Sequence, residues 1–143
     1  MKKLILLFAM IGLSTLVQAQ KMMSKDVPSV VTAAFKKAHP TIQDVDWSKD
    51  GNNFEAEYDD KNKKDASDTY SAFGKLIETE IEIATSGLPA SVMEYVKKNY
   101  KEDEVKEASK ITNVNATVTY EVEVKEMDLI FDSMGNFIKS VKK

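Results

Sequence analysis

Apolar residues along this chain follow a helical period, then a strand period, and the whole sequence of changes occurs twice. In the first passage Val27, Val30, Val31, Ala34, Phe35 and Ala38 recur at helical spacing. Asp26 stands where a cap is expected, Pro28 falls in the first turn, and His39-Pro40 closes the helix. The period then drops from about 3.6 to 2, the spacing of strands. Val45 and Trp47 alternate with Asp44 and Asp46, Lys49-Asp50-Gly51-Asn52 reads as a turn, and Phe54, Ala56 and Tyr58 alternate with Glu55 and Glu57. A third strand, a turn at Gly74 and a fourth strand follow within Thr69 to Ile77. Beyond them Ile77, Thr79, Ile81 and Ile83 take one face while Glu78, Glu80 and Glu82 take the other.

The second passage repeats these residue types. Pro28 and Gly74 return 61 positions later as Pro89 and Gly135, with Leu88, Val92, Tyr95 and Val96 forming the helical stripe. Lys97 and Lys98 match Lys36 and Lys37 in the last turn, where cations suit the negative end of a helix dipole. Val118, Tyr120, Val122 and Val124 alternate with Thr119, Glu121 and Glu123, and Ile130 to Ile138 encloses the Gly135 turn. The pattern predicts an α+β fold: a tandem repeat of a helix plus a four-stranded antiparallel meander, covering about residues 24–84 and 86–143, with the helices packed on one face of a combined antiparallel sheet. Thr85-Ser86-Gly87 is the seam, too short for a flexible linker. The copies diverge at particular places: Trp47 has no aromatic counterpart near Lys106 to Ala108, and Asp68 stands where the second copy has Leu129.

Residues 1–19 carry a different pattern. Lys2 and Lys3 precede an apolar run from Leu4 to Val17, and Val17-Gln18-Ala19 offers the short side chains that signal peptidase accepts. The run is shorter than a bilayer span and is interrupted by Gly12, Ser14 and Thr15. A signal peptide cleaved after Ala19 is expected, leaving residues 20–143 as one domain, periplasmic or secreted and free of the membrane. No cysteine is available for a disulfide, a thiolate site or a lipid anchor at the new amino terminus.

All 20 basic residues are lysine, and 18 of them remain beyond residue 19 against 23 acids. A net-acidic chain without guanidinium groups lacks the bidentate fork that reads phosphate and guanine, which argues against nucleic acid as a partner.

Several stretches together resemble the PepSY-like proteins, also described as beta-lactamase-inhibitor-like, which are common among secreted and periplasmic proteins of Bacteroidetes-type bacteria. They are Val27-Pro28 leading to His39-Pro40, Val45-Asp46-Trp47, and Phe54-Glu55-Ala56-Glu57-Tyr58. They continue with the Gly74 turn, Thr79-Glu80-Ile81-Glu82-Ile83, Leu88-Pro89 and Asp132-Ser133-Met134-Gly135. The resemblance implies an antiparallel sheet with helices on one face and the opposite face open to a partner. It also implies kinship with modules that restrain peptidases and with a tandem fold that inhibits beta-lactamase. Shared fold does not by itself transfer function.

Catalytic equipment is sparse in the sequence. The single histidine, His39, sits at a helix end where it suits a cap, no cysteine exists to pair with it, and no Gly-x-Ser-x-Gly elbow occurs. Asp59, Asp60, Asn62, Asp65 and Asp68 crowd what reads as one loop, but Lys61, Lys63 and Lys64 spoil the ligand order of a calcium loop. With one histidine and no cysteine, a zinc site is not expected, and no cofactor is implied. Alternation sends Asp44, Asp46, Glu55, Glu57, Glu78, Glu80 and Glu82 to the outer face of the sheet. Such a stripe serves solubility and protection against edge pairing, or it docks a basic partner. The expectation is a non-enzymatic binding module, resembling a hydrolase or peptidase inhibitor, that engages a protein through this acidic face. The alternative is an envelope sensor or buffer of a small ligand or of calcium.

Overall fold

A computed structural model of the chain describes residues 20–100 and 105–142. The expected signal peptide, residues 1–19, lies outside the described residues. The strands are β1 (Gln20–Met22), β2 (Asp46–Asp50), β3 (Asn53–Asp59), β4 (Asp65–Ser71), β5 (Leu76–Glu82), β6 (Val105–Asn113), β7 (Val118–Val124), β8 (Met127–Asp132) and β9 (Phe137–Lys142). The two helices are α1 (Ser29–Ala38) and α2 (Ala90–Asn99).

The tandem repeat of helix plus four-stranded meander is corrected by the strand order. The sheet is a single antiparallel one of nine strands, running β1-β2-β3-β4-β5-β6-β7-β8-β9, beside which the two ten-residue helices are minor elements. Periodicity within a strand identifies the strand but not where pairing stops. A separate four-stranded meander leaves an edge of unpaired N–H and C=O groups on each side, and continued pairing reduces the number of such edges. A further strand, β1, adds to β2 from a segment outside the expected copies, with Lys21 opposite Ser48 and Met22 opposite Trp47.

The chain divides between Thr79 and Glu80 into two compact units. In the first, α1 begins behind Pro28, whose φ of −53° is already helical, and ends at His39, where the following proline disfavours helical backbone. Asp26 does not cap α1. It lies in a short 3-10 turn over Ser24–Asp26, where its backbone N–H donates to the Met23 carbonyl at 2.8 Å, and Pro28 stands at the start of α1. Val27, Val31 and Phe35 of this segment pack against Trp47, Phe54, Ala56, Tyr58, Ala66 and Tyr70. Phe35 is the centre of that core, meeting the ring of Tyr58 edge-on at 5.2 Å and that of Trp47 at 5.6 Å. The β2–β3 turn is tighter than expected, two residues long, with Gly51 at a φ of +57°.

In the second unit α2 follows Pro89 and buries Val92 and Val96 against Leu88, Ala108, Val122, Val124, Leu129 and Phe131. Tyr95 of α2 stacks on Phe137 at 4.5 Å, and both meet Phe131 edge-on. The β8–β9 hairpin docks on the start of α2, where Ser91 Oγ donates to the carbonyl of Met134 at 3.0 Å.

Candidate functional site

The first unit holds two polar clusters, on opposite sides of β3. Registration of β2, β3 and β4 sets Trp47, Ala56 and Asp68 in one row and Phe54 beside Tyr70, on the side facing α1. Ser48, Glu55 and Thr69 form the row on one side of the Trp47 row and Asp46, Glu57 and Ser67 the row on the other, both pointing away from α1.

On the α1 side, Asp68 is a buried carboxylate among aromatic residues. Its Oδ2 lies 2.7 Å from His39 Nε2 and accepts from Tyr70 Oη at 2.8 Å. Its Oδ1 accepts from Thr79 Oγ1 at 2.7 Å and from Tyr58 Oη at 3.4 Å. Burial and the adjacent Asp68 charge push both phenols above the ordinary tyrosine range. His39 Nε2 is also 3.2 Å from Tyr58 Oη, so the imidazole is held between a phenol and a carboxylate. This arrangement clamps the end of α1 to β3, β4 and β5. His39 caps through its own backbone, its N–H reaching the Phe35 carbonyl, while its side chain serves the clamp.

The expected acid loop is reduced accordingly. Asp68 belongs to β4, and the loop itself is closed by Asp60, whose Oδ1 accepts from the N–H groups of Asn62 at 2.7 Å and Lys64 at 2.9 Å. Among the described residues, no three His, Cys, Asp or Glu side chains are placed to hold a metal ion. The position of Asp68 is readable in retrospect, since Ala66, Asp68 and Tyr70 share one strand parity.

The face away from α1 carries most of the acidic residues singled out in the sequence. Asp44 and Asp46 are exposed, and Glu57 and Glu78 are half-buried. Glu55 is 2% exposed, a position the alternation alone places at the surface. Its Oε2 accepts from Ser48 Oγ at 3.1 Å, while its shielded Oε1 has no hydrogen-bond partner among the described residues. Loss of hydration, then the neighbouring Glu57 charge, push its carboxyl up to about 7, against the lowering effect of the Ser48 and Ser67 hydroxyls. Burial also raises Asp50, and burial with the Asp50 charge raises Glu78. Lys21 of β1 reaches across to Asp46 at 3.3 Å. The remaining two residues belong to the second unit: Glu80 is buried and Glu82 half-buried, while Ile81 is exposed. Glu82 lines a cleft of about 380 Å³ with Ile83, Met93 and Lys106, and the Lys106 ammonium is tied to the Lys125 carbonyl and to Glu123.

Residues 70–139 match the model of the family described as "Putative beta-lactamase-inhibitor-like, PepSY-like". This stretch of the chain is similar to the PepSY-like family. It runs from the end of β4 into β9, so the acidic residues of β2 and β3 lie outside it. No curated protein matches the chain. Several solved structures share its fold. One, described as "putative periplasmic" and from Bacteroides eggerthii, is 18% identical with a TM-score of 0.67, covering 81% of this chain and 88% of its own. A DUF2874 family protein from Bacteroides ovatus is 20% identical with a TM-score of 0.64, covering 80% and 86%. A BLIP-like protein from Bacteroides fragilis is 18% identical with a TM-score of 0.57, covering 79% and 84%. At such identities the likeness is one of fold. Among the described residues, no helix of the chain is long and apolar enough to cross a membrane.

Proposed function

We propose that this PepSY-like chain is a periplasmic or secreted, non-enzymatic binding module that engages a basic protein partner through the acidic sheet face of its first unit. In this reading residues 1–19 are removed as a signal peptide, and the repeats of about 24–84 and 86–143 supply a scaffold whose working residues lie where the copies diverge. The observation that carries it is the row structure of β2, β3 and β4. One side of these strands buries an aromatic core, while the other sets Asp46, Asp50 and Glu57 around a buried Glu55, with serines and a threonine in place of apolar residues. Like charges gathered this closely raise one another's proton affinity, and a cationic partner relieves them. The description of one fold neighbour as BLIP-like supports an inhibitor-like role, with the partner a hydrolase or peptidase.

The test is affinity capture from an envelope fraction with the wild-type chain and with a variant carrying Asp46→Lys, Glu57→Lys and Glu78→Lys. The reading expects a partner that is lost in the variant and released by added salt. Indistinguishable partner sets for the two proteins remove the acidic face from the function.

A further inference from the structure

The proposed face has a structured interior, and its chemistry narrows what can enter. Glu55 lies mid-strand in β3, with Ser48 directly opposite on β2 and Thr69 directly opposite on β4. Ser48, Thr69 and Ser67 are buried beside it, so three hydroxyls line the surroundings of one carboxyl. One oxygen of that carboxyl is engaged by Ser48, and the other, fully shielded, lacks a donor among the described residues. A buried acceptor left without a donor is costly, by about 1–3 kcal/mol, and the cost rises when the group is charged. What this position lacks is a hydrogen-bond donor carrying positive charge.

We infer that Glu55 is the anchor of the acidic face and that its Oε1 accepts a primary ammonium group, a lysine side chain of the protein partner. This rests on the reading of the face as a docking surface for a basic protein. Three observations select the chemistry. A metal ion is disfavoured because no three acidic or histidine side chains among the described residues converge on one point. A guanidinium suits a carboxylate with both oxygens available for its planar fork, whereas here only Oε1 is unengaged. An ammonium is a compact charge with three donors: one serves Oε1, and the others suit hydroxyl acceptors of the kind Ser67 and Thr69 supply. An ammonium on a four-carbon stem is the more compact of the two cationic side chains, and its access to the shielded Oε1 requires the side chains over Glu55 to move aside. Lys21 stands opposite Ser48 on β1 and pairs at 3.3 Å with Asp46, an exposed lysine–carboxylate contact at the rim of the same face.

Binding of this kind is coupled to a proton. The charged groups whose strand parity or contacts place them on this face are Lys21 on β1, Asp46 and Asp50 on β2, Glu57 and Asp59 on β3, Asp65 on β4 and Glu78 on β5. Lys21 is engaged by Asp46, so the net field at Glu55 is negative and favours its protonated form. Arrival of R–NH3+ ionises the carboxyl: the Glu55 O–H bond breaks, its proton goes to the buffer, and the ammonium keeps its own three protons.

The experiment is calorimetric titration of the full chain beyond residue 19 with amino-acetylated, carboxy-amidated tetralysine at low salt near pH 6.5, in phosphate and in Tris. Its controls are the same peptide acetylated on every side chain and a tetra-arginine peptide. The inference expects tetralysine to bind, with an enthalpy that differs between the buffers by the ionisation of up to about one proton. Glu55→Gln should weaken tetralysine about tenfold and abolish the buffer dependence, whereas Glu57→Gln should weaken it only a few-fold and retain it. Tetra-arginine should bind through the rim without proton release. Equal affinity and equal proton release for wild type and Glu55→Gln, with weakening only in Glu57→Gln, overturn the anchor but leave the docking face standing. Failure of both basic peptides to bind the wild type overturns both. Unaltered near-ultraviolet dichroism of the variants shows that the differences arise at the site.

Discussion

His39 Nε2 of the α1 terminus and Asp68 Oδ2 of β4 lie 2.7 Å apart, joining two residues 29 positions distant in sequence. The pair sits within the aromatic core of the first unit, with the imidazole 4.9 Å from the Phe35 ring and 4.5 Å from that of Tyr58. Asp68 thereby satisfies donors from α1's end and from three strands at once. Leu129, 61 positions further along the chain, is also fully buried but apolar.

Removing the Asp68 carboxyl should therefore cost more than deleting an ordinary hydrogen bond. Asp68→Ala removes the acceptor shared by the Tyr70 and Thr79 hydroxyls and leaves the Tyr58 hydroxyl with His39 alone, and a loss of about 3–5 kcal/mol is expected. Asp68→Asn keeps the shape and part of the bonding and should lose less. Urea unfolding followed by the fluorescence of Trp47, which lies in this core, measures both. A cost under about 1 kcal/mol for the alanine variant contradicts the role of the clamp.

Glu55 gives a pH dependence with a definite sign. Its carboxyl is raised from 4.5 to about 7, so the folded state holds its proton more tightly than the unfolded chain does. Its contribution is fully present below about pH 4.5 and is lost as pH rises through about 7. At about 1.4 kcal/mol per unit, the loss approaches about 3 kcal/mol. Glu55→Gln should flatten this part of the pH–stability curve and be the more stable protein at pH 8. Chemical unfolding of both proteins between pH 4 and 8 tests it, and parallel curves refute it.

Backbone strain separates three turn positions. Gly74 and Gly135 adopt φ of +75° and +82°, and a Cβ would approach the Val30 carbonyl oxygen at 2.7 Å in one case and Pro89 Cβ at 2.8 Å in the other. Replacing either with alanine should cost at least about 2 kcal/mol, from the left-handed backbone and the clash together. Ala116 is the converse, an L-residue at a φ of +60° in the β6–β7 turn. Ala116→Gly should stabilise by up to about 1 kcal/mol. Melting temperatures should thus move in opposite directions, and a loss for Ala116→Gly contradicts the strain.

Two phenylalanines should respond very differently to truncation. Phe35 is 2% exposed at the centre of the aromatic core, and Phe35→Ala should cost about 3–5 kcal/mol. Phe73 is 88% exposed at the β4–β5 turn, and Phe73→Ser should stay within about 0.5 kcal/mol of wild type. Denaturant midpoints of the two variants compare them directly.

Sequence pattern alone placed α1 and α2 on their apolar stripes and put Gly51, Gly74 and Gly135 in turns, where each adopts a positive φ. These follow from local causes: periodicity, proline at a helix start, and glycine where a side chain is forbidden. Strand parity also indicated which side of β3 carries Glu55 and Glu57. It could not say how deeply each side is covered, because parity fixes direction and not depth. Tertiary structure decided that Glu55 and Glu80 are shielded, that Asp68 lies in a core instead of a loop, and that pairing continues through nine strands. Each of these depends on neighbours far along the chain, whose desolvation, hydrogen bonds and open edges no single stretch of sequence contains.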